Sequence, residues 1–186
     1  MMKLKMSKRV GTKKSEINKI RRDGNIPAVL YSQQRPGETI TVDGTDLSTA
    51  IRHILSGRLP TTKFILVDGK TEIQAIVKDI QYHPTTYQVL HLDFVELFPD
   101  VPVNVKVPIE CTGTAECGGI KLGGFLRQVI RHVKVECVPN KIPDTFEVDV
   151  RDLGIRQSKR LSDILMPAGV RALARLDEVV VVIAKR

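Results

Sequence analysis

The 186-residue sequence has no tryptophan, and only 4% of its residues are aromatic. That scarcity argues against a surface that splays single strands over several stacking rings, because such surfaces need repeated aromatics. Cysteine is also sparse: Cys111, Cys117 and Cys137 are odd in number and form no C-x-x-C pair. Zinc needs four ligands at closer spacing than these cysteines and the four histidines, His53, His83, His91 and His132, supply. The expectation is therefore free, buried or half-buried thiols in a reducing cytoplasm, with no metal and no cofactor. No run approaches the roughly 18–20 apolar residues that cross a bilayer, and the most apolar stretch, Val179 to Ala184, suffices only for a strand. The basic N-terminal stretch is not followed by the apolar core of an export signal, and its preference for Lys over Arg argues against an organelle transit peptide. These absences predict a cytoplasmic protein that does not contact a membrane.

What the chain does have is unevenly placed positive charge. The formal net charge is +8, from 29 Lys+Arg and 21 Asp+Glu. Residues 1–31 carry nine basic side chains (Lys3, Lys5, Lys8, Arg9, Lys13, Lys14, Lys19, Arg21, Arg22) against Glu16 and Asp23, a net of +7. Residues 32–98 come to −2 and residues 99–186 to +3. Charge confined to the first sixth of a chain points to a local anion-binding surface.

The hydrophobic pattern explains what carries that charge. Residues 2–10 alternate, with Met2, Leu4, Met6 and Val10 on one parity and Lys3, Lys5 and Arg9 on the other, so a strand with a basic face is predicted. Ser15 is a candidate N-cap for a short basic helix with Ile17 and Ile20 on one stripe, ended by Gly24. Strands are expected at 26–31 and 39–42, a loop at 33–37 and a turn at Asp43-Gly44. Leu47, Ile51, Ile54 and Leu55 predict an amphipathic helix ending near Gly57, with His53 off its apolar stripe. A hairpin follows from 63–67, Asp68-Gly69 and 71–82, then a strand over 87–98. Pro99-Asp100 and Pro102 mark a restart, dividing the chain into domains 1–98 and 99–186. The second begins with the alternating Val101, Val103, Val105, Val107 and Ile109; Gly113 to Gly124 holds no G-K-[ST] and reads as turns and bulges. Further strands are expected at 132–138, 146–150 and 179–184, with one helical candidate at 161–165. The fold class is mainly β with short helices (α+β): a small mixed barrel, then a second mainly β domain.

No nucleophile, base and oxyanion donor converge along the sequence, so an enzyme is not expected. The one dense polar grouping is Lys78-Asp79-Ile80-Gln81-Tyr82-His83-Pro84 with His91-Leu92-Asp93. Asp79, Gln81 and His83 share a strand face, as do His91 and Asp93. If the two strands pair around Pro84 to Tyr87, one end of the sheet gathers amide, imidazole and carboxylate. Such groups suit hydrogen bonding to base edges and 2′-hydroxyls in a nucleic-acid groove.

Three stretches resemble a known family. Gly11-Thr12-Lys13 with Asn18-Lys19-Ile20-Arg21-Arg22-x-Gly24-x-Ile26-Pro27-Ala28-Val29-Leu30-Tyr31 looks like the basic helix and following strand of the bacterial large-subunit ribosomal protein that binds 5S rRNA, the Ctc general-stress family. Asp79-Ile80-Gln81-x-His83-Pro84 and Leu90-His91-Leu92-Asp93-Phe94 resemble its second signature. Val138-Pro139-x-x-Ile142-Pro143, Phe146-Glu147-Val148-Asp149-Val150 and Pro167-x-Gly169-Val170 resemble the C-terminal extension of its long form. The resemblance implies a first domain similar to the anticodon-binding barrel of glutaminyl-tRNA synthetase, gripping the loop E region of 5S rRNA on the large ribosomal subunit. It implies that Arg9, Lys14, Lys19, Arg21 and Arg22 meet phosphates, that Tyr31, Gln81, His91 and Asp93 meet sugars and bases, and that His83 shapes the turn with Pro84. Where the family usually has Arg-Arg this chain has Asn18-Lys19, a loss of one charge for which Lys13 could compensate. A ribosomal RNA binder that acts by folding around 5S rRNA, with no catalysis and no small-molecule substrate, is therefore expected. The other reading is a tRNA-binding or stress-induced RNA chaperone module working off the ribosome.

Overall fold

A computed structural model of the chain describes residues 2–9, 13–32, 36–69 and 71–185. Two compact units emerge, Met1–Val101 and Pro102–Arg186. Val10, Gly11, Thr12 and positions 33–35 of the predicted loop lie outside the described residues.

In the first unit the alternating segments close on themselves. Strands β1 (Met2–Lys8), β2 (Asn25–Tyr31), β3 (Glu38–Asp43), β4 (Lys63–Asp68), β5 (Thr71–Tyr82) and β6 (Val89–Glu96) form a closed barrel in the order β1-β3-β2-β6-β5-β4. β1–β4 and β2–β6 pair in parallel and the other neighbours antiparallel. Period-two alternation sends Leu4, Ala28, Ile40, Val42, Phe64, Leu66, Leu92 and Phe94 into an interior where each is fully buried. Phe64 and Phe94 meet edge to face with centroids 6.3 Å apart. Full burial of a large apolar side chain contributes about 1.5–3 kcal/mol, so this core dominates the unit's stability.

Two helices decorate the barrel. Helix α1 (Lys14–Arg22) buries no residue, and Gly24, at φ +80°, takes up the left-handed conformation after its end. Lys13 precedes its first turn and Ser15 lies inside the helix, so the predicted Ser15 cap is not used; no side chain caps this end. Helix α2 (Gly44–His53) buries Leu47 and Ala50 against the barrel. Here Asp43-Gly44 is not a turn: the Asp43 carboxylate accepts from the Thr45 and Asp46 amides at 2.8 and 3.2 Å and starts the helix. Gly44 is required for a different reason, since a Cβ there would fall 2.1 Å from the Gly24 carbonyl oxygen. The apolar stripe also ends earlier than predicted, with Leu55 outside the helix and 63% exposed.

The second unit contains a four-stranded sheet, β10-β7-β9-β12, and a three-stranded sheet, β11-β13-β8. Its strands are β7 (Val103–Thr112), β8 (Gly124–Gln128), β9 (His132–Cys137), β10 (Phe146–Asp149), β11 (Ser158–Arg160), β12 (Val170–Ala172) and β13 (Val179–Lys185). Val103, Val105, Val107 and Ile109 are buried while Asn104 and Lys106 face out, as alternation requires. The glycine-rich stretch holds a four-residue helix, α3 (Gly118–Lys121), that alternation could not reveal. The helix predicted at 161–165 is a single 3-10 turn, Leu161–Asp163: Ile164 is already extended, and Leu165 is 94% exposed. Cys117 and Cys137 are buried and Cys111 half-buried, all as free thiols, and burial raises the Cys111 thiol pKa. Both units are mainly β with short helices.

Candidate nucleic-acid interface

The predicted polar patch forms on the outer face of β5 and β6. Gln81 stands directly across from His91, and Asp79 across from Asp93, which in turn pairs with Val29 on β2. Two register shifts shape this surface: one leaves Lys78 unpaired on β5, the other leaves Leu90 unpaired on β6. Such bulges re-aim side chains and free backbone groups. The first turns Lys78 outward beside Asp79, with its Nζ 5.7 Å from the centre of the Tyr31 ring. Strict alternation assigns Lys78 and Asp79 to opposite faces, so Lys78 was visible in the polar grouping but its place on this face was not, because a bulge has no reliable sequence signal.

The second bulge positions the basic helix. Arg21 donates from Nε and Nη2 to the Leu90 carbonyl oxygen at 3.2 and 3.1 Å. Because α1 has no buried side chain, this fork and the half-buried Ile17 and Ile20 hold it beside the patch. Arg21 therefore positions the helix with two of its five donors. Arg22 leans back on its own helix, Nε to the Asn18 carbonyl at 3.4 Å. Lys13, Lys14, Lys19 and Arg22 are exposed and have no acidic partner among the described residues.

Strand β1 contributes less charge than its sequence suggests. Lys3 pairs with Glu72 at 2.7 Å and Lys8 with Glu38 at 3.0 Å, so acids from β5, beyond β4, and from the adjacent β3 offset part of its basic face. Arg9, just past β1, is tied by its backbone to Thr39: its N–H donates to the Thr39 carbonyl at 3.1 Å and its carbonyl accepts from Thr39 Oγ1 at 2.8 Å.

The hydrogen-bonding character of the patch is set locally. His91 Nδ1 lies 2.9 Å from an Asp93 carboxylate oxygen. With Nδ1–H donating there, the ring is oriented so that its other nitrogen, Nε2, is left for a hydrogen bond elsewhere. Tyr31 has its pKa raised by burial and by the negative charges of Asp93 and Asp79, so its hydroxyl stays protonated as a donor. Gln81 offers both a carbonyl and an amide. His83 serves the backbone instead, its Nδ1 accepting from the Thr85 and Thr86 amides, both at 3.3 Å, and fixing the β5–β6 turn. All ten sequence-predicted residues thus fall on described positions; Tyr31, Gln81, His91 and Asp93 share one sheet face, Arg21 binds its edge, Lys13, Lys14, Lys19 and Arg22 ride on or beside α1, and Arg9 lies at the end of β1. Among the described residues no group of three or more His, Cys, Asp or Glu side chains could hold a metal.

Residues 4–94 match the Ribosomal L25p family, and residues 102–186 match the C-terminal domain of ribosomal protein TL5. The large ribosomal subunit protein bL25 of Chlamydia trachomatis serovar L2 is 48% identical over the whole of both chains. That of Chlamydia abortus is 47% identical and that of Chlamydia pneumoniae 45%, again over both full lengths. From the two consecutive matches and this full-length identity, the chain belongs to the ribosomal L25p family in its long form with a TL5-type second unit, a family of non-enzymatic, cytoplasmic proteins of the bacterial large ribosomal subunit.

Proposed function

We propose that the first unit binds 5S rRNA at its irregular loop E region, and that the protein thereby supports the architecture of the large subunit. The observation that carries the reading is the junction of two surfaces by the Arg21–Leu90 fork: an exposed basic helix on one side, a row of Gln81, His91, Asp93 and Tyr31 on the other. An A-form-like groove offers phosphates along its rim and 2′-hydroxyls and base edges on its floor, with more base access where pairing is non-canonical. Lys13, Lys14, Lys19, Arg22 and the spare donors of Arg21 suit the rim, as does Arg9. The patch suits the floor: Gln81 gives and takes hydrogen bonds, Tyr31 donates, His91 presents Nε2, and Asp93 accepts from hydroxyls or amino groups. On this reading residues 1–98 form the RNA-binding domain and residues 99–186 an extension with its own core.

The test is the salt dependence of 5S rRNA binding by the full chain. Each lost phosphate contact removes about 0.7–0.9 from the slope of log Kobs against log[salt]. Lys19→Ala with Arg22→Ala should therefore weaken binding and reduce the slope by about 1.4–1.8. A weakened protein with an unchanged slope would remove these two residues from the phosphate contacts.

A further inference from the structure

The polar patch leaves two of the chain's three tyrosines without a role. Tyr82, 47% exposed, and Tyr87, 77% exposed, line a common hollow of ≈ 550 Å³ between the β5–β6 turn and the start of α2. Apolar side chains of Ile51 and Val89 also line it, Gln88 and Asn25 offer amides, and Arg21 and Arg52 supply its charge, with no acidic residue in the lining. Arg21 is the same side chain that ties α1 to β6, so the hollow is continuous with the surface proposed to meet RNA.

Tyr87 is also held in an uncommon way. Its φ is +55°, and only Arg156 shares a positive φ among the described non-glycine residues. The turn enforces this: the Tyr87 amide donates to the His83 carbonyl at 2.9 Å, and the His83 amide donates to the Gln88 carbonyl at 2.8 Å. The His83 ring accepts two further amides in the same turn. A bulky residue held left-handed by so many bonds is a fixed presentation of that side chain.

A hollow with exposed tyrosines, apolar lining, edge amides and only positive charge matches the chemistry of a nucleotide, an aromatic plane attached to an anion. We infer that the Tyr82/Tyr87 hollow receives one unstacked nucleobase of the bound rRNA, with Arg52 and the spare donors of Arg21 against its phosphate. This rests on the RNA-binding reading above and adds a contact that charge alone does not provide. Burial raises the Tyr82 pKa, so its phenol remains neutral and protonated beside the base.

Stacking adds affinity without releasing counterions, which separates it from the phosphate contacts. Tyr87→Ala and Tyr82→Thr in the full chain should each weaken 5S rRNA binding at least about fivefold while leaving the salt slope unchanged, and Tyr87→Phe should retain it. Because the chain has no tryptophan, Tyr87→Trp places a unique fluorophore in the hollow, and its emission should be quenched on adding 5S rRNA. Unchanged affinity of Tyr87→Ala and Tyr82→Thr and an unquenched tryptophan would overturn the inference, provided Lys19→Ala/Arg22→Ala still loses affinity. Loss of subunit incorporation with 5S rRNA affinity intact would equally overturn it, in favour of a protein neighbour. Absence of any 5S rRNA binding by the unsubstituted chain would instead reject the RNA-binding reading itself.

Discussion

Arg21 illustrates how one side chain fixes an element of this protein. Its planar fork spans the Leu90 carbonyl with two donors, a geometry that a lysine cannot reproduce with a single ammonium point charge. Arg21→Lys should therefore behave much like Arg21→Ala. In either variant, hydrogen exchange of the α1 amides is expected to accelerate markedly while the barrel amides keep their protection; equal protection of α1 in wild type and variant would show that the fork does not hold the helix. Asp43 is the corresponding residue for α2. Its pKa is lowered, chiefly by the Thr45 hydroxyl and then by the Asp46 and Thr45 amides. A depressed folded-state pKa means that the stabilisation is present above the carboxylate's unfolded value near 4 and lost as pH falls through the lower folded one. Replacing Asp43 by Ala should cost about 1 kcal/mol at neutral pH, and the gap from wild type should close as the pH drops below about 4, measured by urea unfolding. A gap independent of pH would show that the carboxylate's charge plays no part in capping α2.

At the scale of elements, what could be seen in advance was local and what could not was pairing. The strands of the barrel and the Asp68-Gly69 hairpin follow from alternation and turn chemistry within a few residues. The meeting of Gln81 with His91 was equally legible, because two alternating segments joined by a short connection leave few registers open. The parallel pairs β1–β4 and β2–β6 were not, since they join segments far apart in the chain and are set by closure of the whole barrel. Asp43-Gly44 misled for a physical reason: an Asp side chain that can complete a turn can also cap a helix, and the following residues decide between them. The 161–165 segment was too short for helical periodicity to mean anything. In the site, residue identities were visible and their supports were not, because Lys78 and the Leu90 carbonyl owe their positions to bulges. The salt bridges from Lys3 and Lys8 to acids on β5 and β3 were hidden in the same way, and they shift the centre of available charge from β1 towards α1.

For the whole molecule, the division of charge now has a structural meaning. The basic excess of the first 31 residues is carried largely by one helix and the adjoining segments, mounted on a barrel whose interior is closed and apolar. The second unit has 14 Lys+Arg and 10 Asp+Glu over residues 102–186, with no acid-poor basic segment like that of residues 1–31, and with its own buried valines it is built as an independent core. An arrangement of this kind predicts that recognition of 5S rRNA belongs to the first unit. The most direct measurement is a hydroxyl-radical footprint of 5S rRNA with the full chain and with residues 1–101. Protection should be confined to the loop E region, be the same for both proteins, and require a higher protein concentration in both when Lys19 and Arg22 become Ala. Protection outside loop E, or protection that requires residues 102–186, would contradict recognition by the first unit alone.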